Sequence, residues 1–283
     1  MMIAIDGLRK EYKDFTLDLS MHIPVGRVSG LVGRNGAGKT TTIKAILGLI
    51  RPDAGGVKVL GKESTKLAPE DKCKIGAALS ESGFSSLLNI RDTADILAGM
   101  YPGFSKKQYL DTCAATGLPL DKKIKEFSTG MKAKLRVLVA LSHEAKLLVL
   151  DEPTAGLDVE ARMEILDLIR DYLAENEDCS ILISSHISSD LEGLCDDLYM
   201  IHNGKVVLHE DTDRILSNYG VIKTDKGEYE GLDKEHILGT RKESFGYSCF
   251  TDERQYYEEN YPQLVVERGS IDDMILILGG EKQ

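Results

Sequence analysis

The chain is short of positive charge. Lys and Arg number 35 against 46 Asp and Glu, a formal balance of −11, which argues against a surface built for nucleic acid or anionic lipid. It is also short of paired thiols. Its five cysteines (Cys73, Cys113, Cys179, Cys195 and Cys249) include no C-x-x-C pair, so reduced thiols are expected rather than a disulfide framework. No stretch approaches the roughly 18 uninterrupted apolar residues of a membrane-spanning helix. The first residues, MMIAIDGLRKEY, carry an acid at Asp6 and no long apolar run, which excludes a secretory signal. No internal repeat or low-complexity tract interrupts the sequence. What remains is 283 residues at 42% hydrophobic and 29% charged, the composition of a globular chain with one large domain, or one large domain and a small appendage.

Short apolar runs recur along it. VSGLV (28–32), VKVL (57–60), LLVL (147–150) and ILIS (181–184) read as strands buried on both faces. Between some of them lie helical patterns, such as Ile165, Leu168, Ile169 and Tyr172 on one side after Asp158. That alternation predicts an α/β fold with a largely parallel sheet. YMIHNGKVVLH (199–209) differs, because apolar runs flank Asn203-Gly204, a strong hairpin signal. Residues 85–145 read as an α-helical insertion. Beyond about residue 216 the texture changes again. GVIKTDKGEYEGL is polar and Gly-rich, SFGYSCF and QLVVER read as strands around the helical DERQYYEENY, and SIDDMILIL as a serine-capped helix. Residues 1–216 are therefore taken as the main domain and 217–283 as a small α+β appendage.

GRNGAGKTT (33–41) follows one strand and opens a helix. Gly33, Gly38, Lys39 and Thr40 satisfy G-x-x-x-x-G-K-[ST], in the strand-to-helix setting that the motif needs. Glycine admits close backbone approach to an anion. The amides of Arg34, Asn35, Gly36, Ala37, Gly38 and Lys39 are then free to point inward, and the helix dipole adds positive potential. Lys39 supplies a full charge to β- and γ-phosphates. Thr40 offers a hydroxyl ligand for Mg²⁺, with Thr41 beside it. A nucleoside triphosphate with Mg²⁺ is the expected ligand.

LLVLDEPTAGLD (147–158) ends a buried strand on two consecutive acids, at the sheet edge where ligands of open α/β folds sit. Asp151 suits orientation of Mg²⁺. Glu152 suits holding the attacking water, by positioning and polarisation more than by outright deprotonation. His186, at the end of ILISSH, is within reach of the γ-phosphate or is a structural histidine. In FSTGMKAKLRVLVALSH (127–143), Ser128 stands at an N-cap position and Gly130 just inside the helix, which makes a second anion-binding helix end.

GRNGAGKTT, FSTGMKAK, LLVLDEPTAGLD and SSH, in this order, resemble the ATP-binding subunit of an ABC transporter over roughly residues 1–215. The resemblance implies a P-loop NTPase fold with an ABC-type helical insertion and antiparallel hairpins. It also implies a dimer that sandwiches two ATP molecules and hydrolyses them. By the same resemblance, Ser128 and Gly130 contact the γ-phosphate bound by the second subunit and Asp158 lies at the dimer seam. Tyr12, in RKEYKDF, matches the aromatic that stacks on adenine, its other reading being an ordinary tyrosine on an early strand. Two departures stand out. The family's Leu-Ser-Gly-Gly-Gln is here Phe127-Ser128-Thr129-Gly130-Met131. In IGAALSESGF (75–84) the family's glutamine, which touches Mg²⁺ and the attacking water, is replaced by Ser80 with Glu81 adjacent. Altered coupling or slower hydrolysis is expected from the second change.

The resemblance further implies a separate integral membrane permease, with the chain peripheral at the cytoplasmic face of the membrane. Residues 82–105 correspond to the family's docking region, with Phe84, Leu87, Leu88 and Ile90 as an apolar groove or as core. The FSTGMK variant and the serine-capped tail are similar to bacterial export ATPases of the multidrug and antimicrobial-peptide type, some of which export amphipathic peptide toxins. The alternatives are a soluble mechanical ATPase of the same family and a nucleotide-dependent regulator that does not transport. The single phosphate loop and the intact Lys39, Asp151, Glu152 and His186 weigh against both.

Overall fold

In a computed structural model, residues 1–79, 83–244 and 246–280 are described. Ser80 and Glu81 lie outside them.

The chain runs β1 (Ile3–Glu11), β2 (Thr16–Ile23), β3 (Val28–Val32), α1 (Lys39–Ile46), β4 (Ala54–Val59), β5 (Lys62–Glu63), α2 (Pro69–Lys72) and β6 (Ile75–Ala78). Helices α3 (Ile90–Met100), α4 (Lys106–Ala115) and α5 (Thr129–Leu141) follow, so the expected helical insertion is helical throughout its described elements. Next come β7 (Leu147–Asp151), α6 (Val159–Glu175), β8 (Ser180–Ser184), α7 (Ser188–Glu192), β9 (Asp197–His202), β10 (Lys205–Asp211) and α8 (Thr212–Asn218). The last part holds β11 (Gly220–Thr224), α9 (Lys226–Gly231), β12 (Ile237–Lys242), β13 (Tyr247–Thr251), α10 (Arg254–Asn260), β14 (Val265–Arg268) and α11 (Ile271–Leu278).

Among the described residues these strands form three sheets. The central one has six strands in the order β10-β9-β3-β8-β7-β6, parallel apart from the β9–β10 hairpin. Every residue of β3, β7 and β8 is buried, as strands covered on both faces require. The hairpin turns at Asn203-Gly204, both at positive φ (46° and 76°), as a tight primed turn demands.

VKVL departs from expectation. It belongs to a separate antiparallel sheet, β2-β1-β4-β5, with Val57 and Val59 buried and Lys58 exposed. The lone lysine between two valines is an alternation, so only one face meets the core. IGAA, too small and glycine-bearing to stand out, is the edge strand β6. A Cβ at its Gly76 would fall 2.2 Å from the Ala140 carbonyl oxygen, so glycine is what lets α5 lie against the sheet.

The polar, Gly-rich stretch after residue 219 contains an inner strand, β11, of the third sheet, β12-β13-β11-β14. This sheet is antiparallel. Its contact with the rest is extensive. Val221, Phe250, Ile271, Met274 and Ile277 share one buried cluster with Leu150, Ile183 and Met200 of the central sheet and Leu191 of α7. Helix α11 is thus seated on the same core that carries the central strands.

Candidate nucleotide site

The central sheet delivers β3, β7 and β8 side by side, and the groups expected to do chemistry emerge at their carboxyl ends. After β3 the backbone takes positive φ at Gly33 (147°), Gly36 (80°) and Gly38 (120°). At Gly33 a Cβ would lie 2.2 Å from the Ile201 carbonyl oxygen, and at Gly38 it would lie 2.7 Å from Leu17 Cδ1. Any larger residue at either position would force the loop open. The loop is pinned from the hairpin side, where Gly204 N–H donates to the Ala37 carbonyl at 2.9 Å. Arg34, Asn35 and Gly36 are exposed, while Ala37, Gly38 and Lys39 are buried.

Lys39 Nζ donates to the Gly33 carbonyl at 2.8 Å and lies 3.5 Å from Glu152 Oε1. Thr40 Oγ1 stands 3.1 Å from Asp151 Oδ2. Asp151, only 2% exposed, also accepts from the Ser184 hydroxyl at 2.7 Å. Glu152 holds a left-handed φ of 50°, a conformation that costs a non-glycine residue about 1–2 kcal/mol. Its N–H is caught by the Ser184 carbonyl at 3.2 Å and the Ser184 hydroxyl at 3.0 Å. That pair of acceptors turns the carboxylate away from Asp151 and towards His186, whose Nδ1 is 2.5 Å from Glu152 Oε2. A carboxylate only accepts, so Nδ1 carries the proton of that bond. Lys39, Thr40, Asp151, Glu152 and His186 are therefore one connected group. Thr41, the next residue of α1, is half-buried.

The other expected residues fall in two further places. Tyr12 is 47% exposed, just past β1, with its ring centroid 6.3 Å from that of Phe15. Phe15 in turn lies beside Gly38, 3.1 Å from where a Cβ there would stand. Ser128 caps α5 by accepting from Met131 N–H at 3.2 Å. Asp158 caps α6 by accepting from Ala161 N–H at 2.9 Å. These two helix starts adjoin, since a Cβ at Gly130 would touch Ala161 at 3.4 Å and Leu157 at 4.0 Å. Ser128, Thr129 and Asp158 are exposed, so this pair of helix ends faces solvent rather than the Lys39 group.

Several contributors carried no signal in the sequence. Ser184 organises both acids although it reads as one more residue of a buried strand. Thr154 Oγ1 donates to Asp190 Oδ2 at 2.6 Å, which ties the loop after Glu152 to α7. Phe15 follows Tyr12 closely, and only the β1–β2 hairpin reveals that it reaches the phosphate loop. The guanidinium of Arg34 turns from the loop to donate to the Gly279 carbonyl at 3.3 Å.

Loop, lysine and acids at the ends of parallel strands define a P-loop nucleoside-triphosphate hydrolase, and the helical insertion marks one branch of that class. A family model described as "ABC transporter" matches residues 16–155, and one described as "AAA domain, putative AbiEii toxin, Type IV TA system" matches 123–189. The lantibiotic transport ATP-binding protein SrtF of Streptococcus pyogenes is 36% identical over 216 residues, 75% of this chain and 92% of that protein. The bacitracin transport ATP-binding protein BcrA of Enterococcus faecalis is 35% identical over 210 residues, 73% of this chain and 68% of that one. A solved ATP-binding subunit of an ABC transporter superposes with a TM-score of 0.67 at 27% identity, covering 76% of this chain and 92% of its own. The chain belongs to the ABC transporter family. Within it, the chain is an ATP-binding, ATP-hydrolysing subunit.

Proposed function

We propose that the chain powers export of an amphipathic antimicrobial peptide or drug through a separate integral membrane permease, at whose cytoplasmic face it sits. The curated relatives named for lantibiotic and bacitracin transport support the peptide class. Among the described residues no helix is long and apolar enough to cross a membrane, so a permease supplies the pathway. Residues 1–216 form the ATP-binding domain in this reading and 217–283 an accessory unit.

The observation that carries the reading is the connected group Lys39–Glu152–His186 beside Thr40–Asp151. Lys39, buried at the mouth of the glycine loop, holds the β- and γ-phosphates together with the amides of residues 34–39. Tyr12 takes the adenine on its exposed ring, next to Phe15. Glu152, aimed by Ser184 and tethered to His186, holds the attacking water in line, and His186 contacts the γ-phosphate from the side. Mg²⁺ fits the donor set at Thr40 and Asp151. Both are oxygen ligands 3.1 Å apart, one of them a buried carboxylate, and this ion is ordinarily held by one or two protein oxygens along with substrate phosphates. When bound it neutralises phosphate charge. Ser128 and Gly130 meet the γ-phosphate held by a second ABC ATPase subunit, with Asp158 at the seam. The solvent exposure of those helix ends supports that assignment.

A cavity of about 390 Å³ bounded by Phe84, Leu97, Tyr101, Leu135 and Val139 supports the helical insertion as the permease's docking side. Of the apolar residues expected there, Phe84 lines the cavity, Leu87 is 64% exposed and Ile90 is fully buried, so Ile90 belongs to the core.

Glu152→Gln tests the reading. The variant is expected to bind ATP, to sediment as an ATP-dependent dimer and to release no phosphate. Turnover at the wild-type rate would remove Glu152 from the chemistry. In cells, co-expression with an integral membrane subunit that co-purifies with the chain is expected to raise tolerance to an amphipathic peptide antibiotic. Tolerance equal to that of cells carrying Glu152→Gln would point to a soluble mechanical ATPase or a regulator instead.

A further inference from the structure

Helix α11, the last described element, touches the nucleotide site at both of its ends. At its start, Asp272 Oδ2 accepts from the Ser188 hydroxyl at 2.8 Å, and Ser188 is two residues beyond His186. At its finish, the Gly279 carbonyl accepts from Arg34 of the phosphate loop at 3.3 Å. The helix itself is firmly held. Ile271, Met274 and Ile277 are in the main core, and a reciprocal cap closes its first turn, with Ser270 Oγ accepting from Asp273 N–H at 3.1 Å and Asp273 Oδ2 accepting from Ser270 N–H at 3.2 Å.

Residues 184–188 form a short span held upstream at Ser184 and downstream at Ser188 and by the rest of α7, whose Asp190 is bonded to Thr154 and whose Leu191 is in the main core. Upstream, Ser184 is bound to Asp151 and to Glu152 N–H. Within it, the Ser185 hydroxyl engages the N–H and carbonyl of Ile187, which stiffens the turn without anchoring it to another element. Downstream, Ser188 is buried and bound to Asp272. His186, between them, has a side chain 52% exposed, and among the described residues its Glu152 bond is the one tether that its ring makes. Two residues of chain separate it from the downstream anchor, roughly 7 Å of backbone. Freeing that anchor leaves only the Asp190 N–H bond to the Ile187 carbonyl, at 3.3 Å, to hold the residue next to His186 from the α7 side, and misplacement by an ångström is enough to depress catalysis severely.

We propose that Asp272, in the C-terminal unit, is a positioning residue for hydrolysis: through Ser188 it fixes the backbone that presents His186 to the γ-phosphate. The inference rests on the role given to His186 above. The C-terminal unit is then part of the hydrolytic apparatus of its own subunit.

Steady-state phosphate release by the full-length chain, with kcat and KM for Mg-ATP separated, tests this. Asp272→Ala is expected to lower kcat roughly five- to tenfold with KM changed less than twofold, because orientation and not binding is lost. Ser188→Ala should reproduce that loss, and the double variant should add nothing further, since both remove one bond. Asp272→Asn keeps an acceptor for the hydroxyl and should return kcat to within about twofold of wild type. Asp273→Ala is the control for helix stability: it removes the cap of the same helix, lowers Tm and leaves kcat in place. Equal losses of kcat in Asp272→Ala and Asp273→Ala, or additive losses in the double variant, would overturn the proposal while leaving the site reading intact. Full activity in His186→Ala would instead refute the role of His186, and the proposal would fall with it.

Discussion

Removing one hydroxyl, that of Ser184, should damage the site more than the residue's ordinary appearance suggests. Ser184 is fully buried. Its Oγ donates to Asp151 Oδ1 at 2.7 Å and accepts from Glu152 N–H at 3.0 Å. In Ser184→Ala the second bond is partly replaced, because the Ser184 carbonyl already accepts from the same N–H at 3.2 Å. The first is not. A hydrogen bond to a charged group contributes about 1.5–3 kcal/mol, and Oδ1 would keep only the Thr40 hydroxyl, at 3.5 Å. A stability loss of about 2 kcal/mol is therefore expected. The left-handed backbone at Glu152 also loses an acceptor that holds it, so the carboxylate aims less well. If half of the 2 kcal/mol is felt in the transition state, kcat falls roughly fivefold. Urea unfolding of wild type and variant gives the first number and phosphate release the second. A variant within about 0.5 kcal/mol of wild-type stability and with unchanged kcat would refute the view that Ser184 organises both acids.

Other expectations follow from the same geometry. Gly33→Ala places a methyl 2.2 Å from the Ile201 carbonyl oxygen at a φ that side chains avoid, so nucleotide affinity should fall at least tenfold, read by calorimetry; unchanged affinity would mean the loop yields freely. Ser80→Gln restores an amide's donor and acceptor to a position facing hydrolysis in the resemblance, and turnover should change; an identical rate would dismiss that segment from catalysis. Burial holds His143 below its ordinary value of 6.5, opposed by a bond to the Ile75 carbonyl. The unfolded chain therefore takes up a proton that the folded one refuses, and the stability linked to His143 is present above about pH 6.5 and lost as pH falls towards the folded-state value. His143→Gln should flatten stability against pH in that window, and an unaltered profile would show that other groups set it.

Much of this molecule could be read from the chain alone, and the exceptions have physical reasons. Buried parallel strands announce themselves as unbroken apolar runs, and VSGLV, LLVL and ILIS did. VKVL differs because four residues are too few for Lys58 to outweigh its apolar neighbours, although that lysine marks a strand with a wet face. GVIKT became an inner strand because long-range pairing with β13 and β14 overrides a polar local texture. At the site, glycines, lysine and acids were legible because phosphate chemistry restricts residue type and spacing. The supports were not. Ser184, Phe15 and the pairs Thr154–Asp190 and Ser188–Asp272 are separated in sequence from what they hold, and hydroxyls in such positions have no distinguishing pattern. The tie between α11 and the site crosses 84 residues, a contact that no local signal carries.

Calorimetric titration of the purified chain with Mg-ATP, beside Lys39→Ala, bears most directly on the account. Saturable binding by the wild type, lost or weakened at least tenfold without the lysine, is the predicted result. Equal affinity in both proteins, or none in either, would contradict it.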